Sequence, residues 1–190
     1  DKSGIMGFEM NNQVSAWLHL PRPYNQMMII DGSKLIMSFG VLTDDQINSF
    51  GYYRLTTAKC VNKITPLPAY ANYPCWATRK IPITYTFESP EGQTILKIKY
   101  RTIFDTGGVL THVFIEPIPA AIERYTENSI FKGKIFSAVL YTDNQGPIHI
   151  PTNKTIKIYK SKKKMVNSGY QVVYTKTVLF DSRDGIIGFK

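Results

Sequence analysis

A succession of short segments rich in β-branched and aromatic residues most constrains the fold of this chain. Such residues favour β-strands. The segments are 94–104, 134–142, 154–160 and 169–180. In the first of them, Lys97 and Lys99 alternate with Ile98 and Tyr100, which is the pattern of a strand with two different faces. The sequence therefore predicts a strand in each segment.

Turn-forming residues separate these segments at close intervals. Clusters of Gly, Pro, Asn, Asp and Ser occur at 89–93, 105–108, 143–147, 167–169 and 182–185. Such frequent turns favour hairpins and Greek-key connections over crossover helices. Together with the eleven prolines, they predict an all-β fold, an antiparallel β-sandwich or barrel.

Helices are expected at two places only, 42–50 and 119–127. In the first, Thr43 is placed to cap the helix, and Asp44 and Asp45 would complement the dipole of its first turn. Both segments are short. The chain has neither internal repeats nor a recognisable linker, so one domain over residues 1–190 is predicted, with one or two short helices.

Composition and charge narrow the functional classes. With 190 residues and 43% hydrophobic residues, the chain can bury a core of its own. Its apolar runs are only a few residues long, whereas about 20 are needed to span a bilayer, so we expect a soluble protein. The net charge of +9 predicts an acidic partner: nucleic acid, an anionic membrane surface or an acidic glycan.

Much of the positive charge lies in one cluster near the C-terminal third. The cluster contains Lys157, Lys160, Lys162, Lys163 and Lys164. One interpretation is a solvated hairpin loop. The other is an anion-docking loop formed by Lys160 and the three lysines that follow it, since each lysine near an anionic lipid surface contributes about 1 kcal/mol. Both interpretations place the cluster on the outside.

The two cysteines, Cys60 and Cys75, enclose a segment that is rich in proline. They lack the spacing of a zinc site and of a CxxC redox motif. A bridge between them would close a loop of about 15 residues and contribute roughly 3 kcal/mol. We therefore predict a structural disulfide and an oxidising compartment, with two free thiols as the alternative.

Aromatic residues lie in and beside this loop. Tyr70, Tyr73 and Trp76 offer flat faces on a backbone that prolines stiffen. Such a loop can bind a ligand without a large loss of entropy. Alternatively, these rings cover the edge of the core.

No catalytic or cofactor motif is found. His19, His112 and His149 are far apart and lie in strand-like contexts. The chain lacks GxSxG, P-loop, GxGxxG and HExxH motifs. We therefore predict no enzyme, no metal site and no cofactor; an enzyme would need His112 or His149 to meet an Asp or Glu in space.

Nucleic-acid binding is a further hypothesis. Basic strands with aromatic residues could form a platform like that of an OB-fold, on which single-stranded bases stack. The chain lacks an RRM signature and a helix with clustered arginines, and a disulfide would place it outside the cell. Nucleic acid is therefore not the expected partner.

One stretch carries a family resemblance. Residues 113–145, VFIEPIPAAIERYTENSIFKGKIFSAVLYTDNQ, show a strand, a proline-containing turn, an irregular stretch and a strand that ends in polar residues. This order resembles the later part of the receptor-binding domain of chaperone-usher fimbrial tip adhesins. The resemblance implies an immunoglobulin-like β-sandwich at the tip of a bacterial pilus, which binds host glycan through loops at one end.

The resemblance also implies where a sugar would bind. The polar residues at the end of this strand are Asp143, Asn144 and Gln145. Their carboxylate and amide groups suit the hydroxyls of a sugar, while a nearby aromatic ring would cover its apolar face. The alternative is that DNQGP is an ordinary turn. The cysteines lie in the middle third, and some 45 residues follow the matched strand, which the resemblance does not explain.

The sequence thus predicts a secreted adhesin domain that binds a host glycan or glycoprotein at a pilus tip. If a pilin domain follows it, pilus subunits and a periplasmic chaperone are further partners. The alternative is a secreted or viral structural β-sandwich that docks to a protein or to an anionic membrane surface through its lysine cluster.

Overall fold

The computed structural model describes residues 10, 16–59, 74–105 and 107–190, and these residues are mostly in strands. The strands are β1 Met27–Asp31, β2 Ile36–Gly40, β3 Gly51–Arg54, β4 Ile81–Glu88, β5 Thr94–Ile103, β6 Thr111–Ile115, β7 Thr126–Glu127, β8 Ile130–Phe131, β9 Lys134–Tyr141, β10 Pro147–His149, β11 Ile156–Lys160, β12 Met165–Asn167, β13 Thr177–Asp181 and β14 Ile186–Phe189. The all-β prediction is confirmed.

Short helices connect some of these strands. They are a 3-10 helix, Ala16–His19, and three α-helices, α1 Asp44–Asn48, α2 Ala120–Glu123 and α3 Gln171–Thr175. The predicted cap of α1 is present: Thr43 Oγ1 accepts a hydrogen bond from Gln46 N at 3.3 Å, and Gln46 Oε1 accepts one from Thr43 N at 2.9 Å. This reciprocal pair is a capping box. Among the described residues, no helix is long and apolar enough to cross a membrane.

The predicted strand at 169–180 is wrong in its first half, because Gln171–Thr175 is helical and only Thr177–Asp181 is a strand. Val172 and Val173 have a strong preference for strands, yet both are buried in α3. Packing of these two side chains outweighs their local preference. The other three segments correspond to β5, β9 and β11.

The chain divides into two compact units. The first comprises Asp1–Thr78, Thr142–Gly146 and Val173–Lys190, and the second comprises Arg79–Tyr141 and Pro147–Val172. Each unit has its own sheet. The prediction of one domain over residues 1–190 stays a prediction beside this division.

The sheet of the first unit has five strands in the order β2-β1-β13-β14-β3. All neighbouring strands are antiparallel, as predicted. Its core cluster includes Met27, Ile47, Phe50, Leu179 and Ile186. The strand β2 lies at one edge of this sheet, and β3 lies at the other.

The sheet of the second unit has nine strands in the order β10-β9-β4-β5-β12-β6-β11-β8-β7. Here the predicted antiparallel arrangement does not hold throughout, because β5 and β12 are parallel and so are β6 and β11. The parallel pairs arise because β12 lies between β5 and β6. The strands β5 and β6 are consecutive in sequence, but they do not form the hairpin that a turn at 105–108 suggests.

The second sheet has one buried face and one open face. On β4, the buried residues Ile81, Ile83 and Tyr85 alternate with half-buried Pro82 and Thr84. The alternation follows from the two-residue period of a strand. The strands β5, β6 and β11 alternate in the same way, which places polar and aromatic side chains together on the open face.

Candidate functional site on the second sheet

The open face of the second sheet carries basic and aromatic side chains, which we call the basic–aromatic face. Its residues are Lys97, Lys99 and Arg101 on β5, His112 and Phe114 on β6, Lys157 and Tyr159 on β11, and Lys163 in the loop before β12. On β6 and β11, the intervening residues Val113, Ile156 and Ile158 are buried. The same alternation that builds the core therefore assembles this face.

Strand register aligns three of these residues and Met165 in a row. Met165 on β12 pairs with Arg101 on one side and with Phe114 on the other, and Phe114 pairs with Tyr159. Neighbouring strands lie about 4.8 Å apart, so the row extends roughly 15 Å across the sheet. A second row runs parallel to it, in which Asn167 pairs with His112. The face is thus a continuous platform.

Three aromatic rings form the centre of the platform. The rings of Phe114 and Tyr159 are stacked, with centroids 5.4 Å apart and an interplanar angle of 19°. The imidazole of His112 meets Tyr159 edge to face at 5.4 Å. All three side chains are half-buried. The stacked pair fixes two rings beside each other on adjacent strands, where they form a continuous apolar surface.

A cavity of about 410 Å³ opens beside this stack. It is lined by Phe114, Met165 and Asn167 and by three cationic side chains, those of Arg79, Arg101 and Lys163. No carboxylate is among its lining residues in the part of the chain that the structure describes. The cavity is therefore electropositive.

Two contacts hold the cations of this cavity in place. Arg101 Nη2 donates a hydrogen bond to the Lys163 carbonyl at 2.8 Å. Lys163 Nζ lies 5.5 Å from the centre of the Phe114 ring, which is cation–π distance. Both side chains remain exposed. Arg101 retains other N–H donors for a ligand.

A fixed carboxylate lies at the end of the second row. Asp105 Oδ2 accepts a hydrogen bond from Asn167 Nδ2 at 2.8 Å, and Asp105 Oδ1 accepts one from Gly107 N at 3.1 Å. The backbone packs closely here, since a Cβ on Gly169, where φ is +70°, would lie 2.7 Å from the Gly108 carbonyl oxygen. The predicted turn at 105–108 thus holds one carboxylate in a defined position.

The lysine cluster lies outside, as predicted. Lys160 ends β11, and Lys162, Lys163 and Lys164 lie in the exposed loop before β12. This loop is not a hairpin, because β6 lies between β11 and β12. Lys163 borders the cavity, so the loop and the basic–aromatic face are continuous.

The residues predicted to bind sugar lie in the first unit, where their polar atoms contact β3 and residues just before it. Asn144 Oδ1 accepts a hydrogen bond from Tyr52 N at 3.0 Å, and Asn144 Nδ2 donates one to the Phe50 carbonyl at 2.8 Å. Asp143 Oδ2 accepts from the backbone N–H of Arg54 at 2.6 Å.

Gln145 behaves in the same way. Its Nε2 donates a hydrogen bond to the Asn48 carbonyl at 2.7 Å, and its backbone N–H donates to Thr142 Oγ1 at 3.0 Å. Burial, and then the charge of Asp143, raise the pKa of Tyr53. These contacts match the turn interpretation of Asp143, Asn144 and Gln145. Their role in glycan binding stays a prediction.

The cysteine loop lies largely outside the described residues. Cys60, Tyr70 and Tyr73 belong to that part, so the disulfide between Cys60 and Cys75 and the role of these tyrosines stay predictions. Cys75 is buried.

The half-buried Trp76 packs within the first unit. Its Nε1 donates a hydrogen bond to the Ser182 carbonyl at 2.8 Å, and a Cβ on Gly185 would lie 2.5 Å from Cδ2 of its ring. This matches the interpretation in which the ring covers the core. Its part in sugar binding stays a prediction.

The histidines do not form a metal site among the described residues, where no group of three or more His, Cys, Asp or Glu side chains could hold an ion. His112 and His149 lie on strands, as predicted, whereas His19 ends the 3-10 helix. His112 is nevertheless the register partner of Asn167, whose amide binds Asp105.

Comparisons with known proteins identify no family. No protein-family model matches the chain, and no curated protein matches it significantly. Among solved structures, the chain is similar to an aspartic proteinase from Irpex lacteus, at 12% identity over 88% of this chain and 56% of that chain, with a TM-score of 0.44. It is also similar to Basic 7S globulin from soybean, at 11% identity over 86% of this chain and 50% of that chain, with a TM-score of 0.42.

The chain thus spans about half the length of these two solved structures. Similarity at this level identifies neither a family nor a function for the chain.

Proposed function

We propose that this chain binds an acidic glycan on the basic–aromatic face of its second unit. The observation that carries the proposal is the stacked pair Phe114 and Tyr159 beside a cavity with Arg79, Arg101 and Lys163. Sugar rings have apolar C–H faces that pack on aromatic rings. Sulfate and carboxylate groups accept charge-assisted hydrogen bonds from guanidinium and ammonium groups.

The shape of the face favours a polymer chain over a membrane surface. Phe114 and Tyr159 are half-buried, whereas membrane insertion needs aromatic side chains that project. The row from Arg101 to Tyr159 crosses four strands, so it can contact several successive sugars. Single-stranded nucleic acid also binds to proteins through aromatic stacking and cationic side chains. The test therefore compares the binding of an oligonucleotide with that of the glycans.

The proposal keeps the glycan ligand of the adhesin prediction and moves its site from residues 143–145 to the second sheet. A place at the tip of a pilus, and hence the pilus subunits and chaperone as partners, stays a prediction. The lysine cluster of the docking alternative and the basic–aromatic face share Lys163, so the two form one surface.

The test is calorimetric titration with a sulfated glycosaminoglycan oligosaccharide, a polyuronate and a neutral glucan. Binding to the two acidic glycans, weakened but retained at high salt, is expected. Arg101→Ala should weaken it roughly tenfold to a hundredfold, since hydrogen bonds to charged groups contribute about 1.5–3 kcal/mol. Lys34→Ala removes the same charge from the first unit and serves as the matched control.

Three outcomes would overturn the proposal. They are failure of both acidic glycans to bind, equal losses in Arg101→Ala and Lys34→Ala, and tighter binding of an oligonucleotide or of anionic vesicles than of either glycan. The last outcome would assign the face to one of those ligands.

A second candidate function is hydrolysis of a bound polymer with Asp105 as general base. The observation that favours it is the position of this carboxylate, which accepts two hydrogen bonds and shares Asn167 as a neighbour with His112. A carboxylate that is held in position can act as a general base toward a water molecule within hydrogen-bond reach. Peptides and polysaccharides incubated with the parent and with Asp105→Asn would test it. Hydrolysis that Asp105→Asn abolishes is expected, and hydrolysis that survives the substitution would exclude Asp105.

A further inference from the structure

The row of side chains on the basic–aromatic face does not end at Arg101. On the neighbouring strand β4, Pro82 is the register partner of Arg101. Further along β4, Thr84 pairs with Val139 on β9. Pro82 and Tyr141 are each two residues from that antiparallel pair, in the same direction, so they lie opposite each other on the open face. Tyr141 is 62% exposed. The row therefore continues by two more strands within the second unit.

We infer that Tyr141 is a second stacking position for the acidic glycan, and that the ligand is a linear oligosaccharide long enough to reach it from the stacked pair Phe114 and Tyr159. The inference rests on the proposed function and extends it. The strand order β9-β4-β5-β12-β6 separates Tyr141 from Phe114 by four strand spacings. At about 4.8 Å for each spacing, the two aromatic positions are roughly 19 Å apart. One sugar ring cannot contact both.

The side chains between these two positions suit a chain that carries acidic groups. Pro82 is half-buried and offers an apolar ring next to Tyr141, and Arg101 beyond it lines the electropositive cavity. The row from Tyr141 to Tyr159 contains neither Asp nor Glu. A tyrosine suits the end of such a row, because its ring packs on the C–H face of a sugar while its hydroxyl can bond to a sugar hydroxyl.

The register neighbours of Tyr141 on this face differ from those of Arg101 in charge. On β4, β9 and β10 they include no Lys, Arg, Asp or Glu, and they are Pro82, Thr84, Val139 and Pro147. Contact with Tyr141 therefore adds to affinity through packing. This contribution should not depend on salt, whereas the contribution of Arg101 should.

The twist of the sheet determines which kind of ligand can follow the row. Adjacent strands are rotated by about 20° relative to each other, so the open face turns by roughly 80° between β9 and β6. A rigid flat molecule cannot lie against both ends of such a surface. A linear oligosaccharide can, because its glycosidic bonds rotate and let each sugar face the side chain beneath it. The row therefore favours an unbranched chain of several sugars.

Calorimetric titration with a size series of one acidic oligosaccharide, from disaccharide to octasaccharide, tests the inference. The affinity of the parent is expected to rise with length and to level off once the oligosaccharide spans both aromatic positions. Tyr141→Ala should remove most of this gain and leave disaccharide binding unchanged, whereas Tyr141→Phe keeps the ring and should retain the gain. Phe136→Ala is the matched control, since Phe136 is 63% exposed on the same strand but lies outside the row, roughly 17 Å from Tyr141 along β9.

Salt separates the packing contribution from the charge contribution. The ratio of octasaccharide affinities between the parent and Tyr141→Ala should be the same at low and high salt, whereas the ratio for Arg101→Ala should shrink as salt rises. If no member of the series binds the parent, the proposed function fails and the inference fails with it. If the series binds with an affinity that does not depend on length, the proposed function stands and the inference is overturned. The same holds if Tyr141→Ala and Phe136→Ala, both folded by circular dichroism, lose affinity equally.

Discussion

Two polar regions of this chain use their side chains in opposite ways. In the turn Thr142–Gly146, the polar atoms of Asp143, Asn144 and Gln145 bind backbone groups of the same unit. On the basic–aromatic face, Lys97, Lys99 and Lys163 form no ion pair within the described residues. The comparison teaches that a polar cluster in a sequence indicates a binding site only where the fold leaves its donors and acceptors available.

The buried carboxyl of Asp181 provides the largest expected effect. Burial raises its pKa from 3.8 to about 6, and its Oδ1 accepts hydrogen bonds from the backbone N–H groups of Arg183 and Asp184. A raised pKa in the folded state stabilises the fold below the unfolded pKa of 3.8, and this contribution is lost as pH rises through about 6.

Urea unfolding from pH 4 to pH 8 measures this contribution. Relative to Asp181→Asn, which keeps the Oδ1 acceptor and does not titrate, the parent should lose roughly 3 kcal/mol of unfolding free energy as pH rises. Parallel pH profiles of the two proteins would contradict the assignment. In either case, acidic-glycan binding at one pH should be the same in both, because Asp181 belongs to the first unit.

Asn144→Ala should have the next largest effect, on stability alone. The substitution removes the acceptor for Tyr52 N and the donor to the Phe50 carbonyl, and leaves those two backbone groups without these partners. Loss of such bonds costs about 2 kcal/mol. Chemical unfolding and calorimetric titration on the same samples check it. A loss of glycan affinity in a folded Asn144→Ala would restore the sugar site predicted at this turn.

Tyr159→Ala should weaken binding, with a smaller loss of stability than Asn144→Ala. The substitution removes one of the two stacked rings and leaves Phe114 with its cation–π contact to Lys163. The aromatic pair contributes about 1 kcal/mol to the fold beyond its buried area. Acidic-glycan affinity should fall as well, because one of the two rings offered to the sugar is gone. Tyr159→Phe keeps the ring and should bind like the parent. A loss in Tyr159→Phe as large as in Tyr159→Ala would show that the hydroxyl binds and the stack does not.

The local part of this architecture was predictable from sequence, and the site was not. The alternation of Lys97 and Lys99 with Ile98 and the cap at Thr43 are set by neighbours in sequence, and both predictions are confirmed. The basic–aromatic face depends on Met165, which pairs with Arg101 and Phe114 only because β12 lies between two earlier strands. Neither the spacing of apolar residues nor the turn residues in the sequence predict a pairing between strands that are so far apart in the chain.

The smallest expected effect is that of Gln145→Ala. Its side chain donates to the Asn48 carbonyl, and both residues are exposed, so water replaces the bond that is lost. We expect a change in unfolding free energy below about 0.5 kcal/mol, which a surface substitution typically gives. The contrast with Asn144→Ala isolates the burial of the backbone partners, because both residues are amides of the same turn but only Asn144 contacts the buried residues Phe50 and Tyr52. Equal destabilisation by the two variants would mean that the turn acts as a single unit and that each of its side chains holds it on β3.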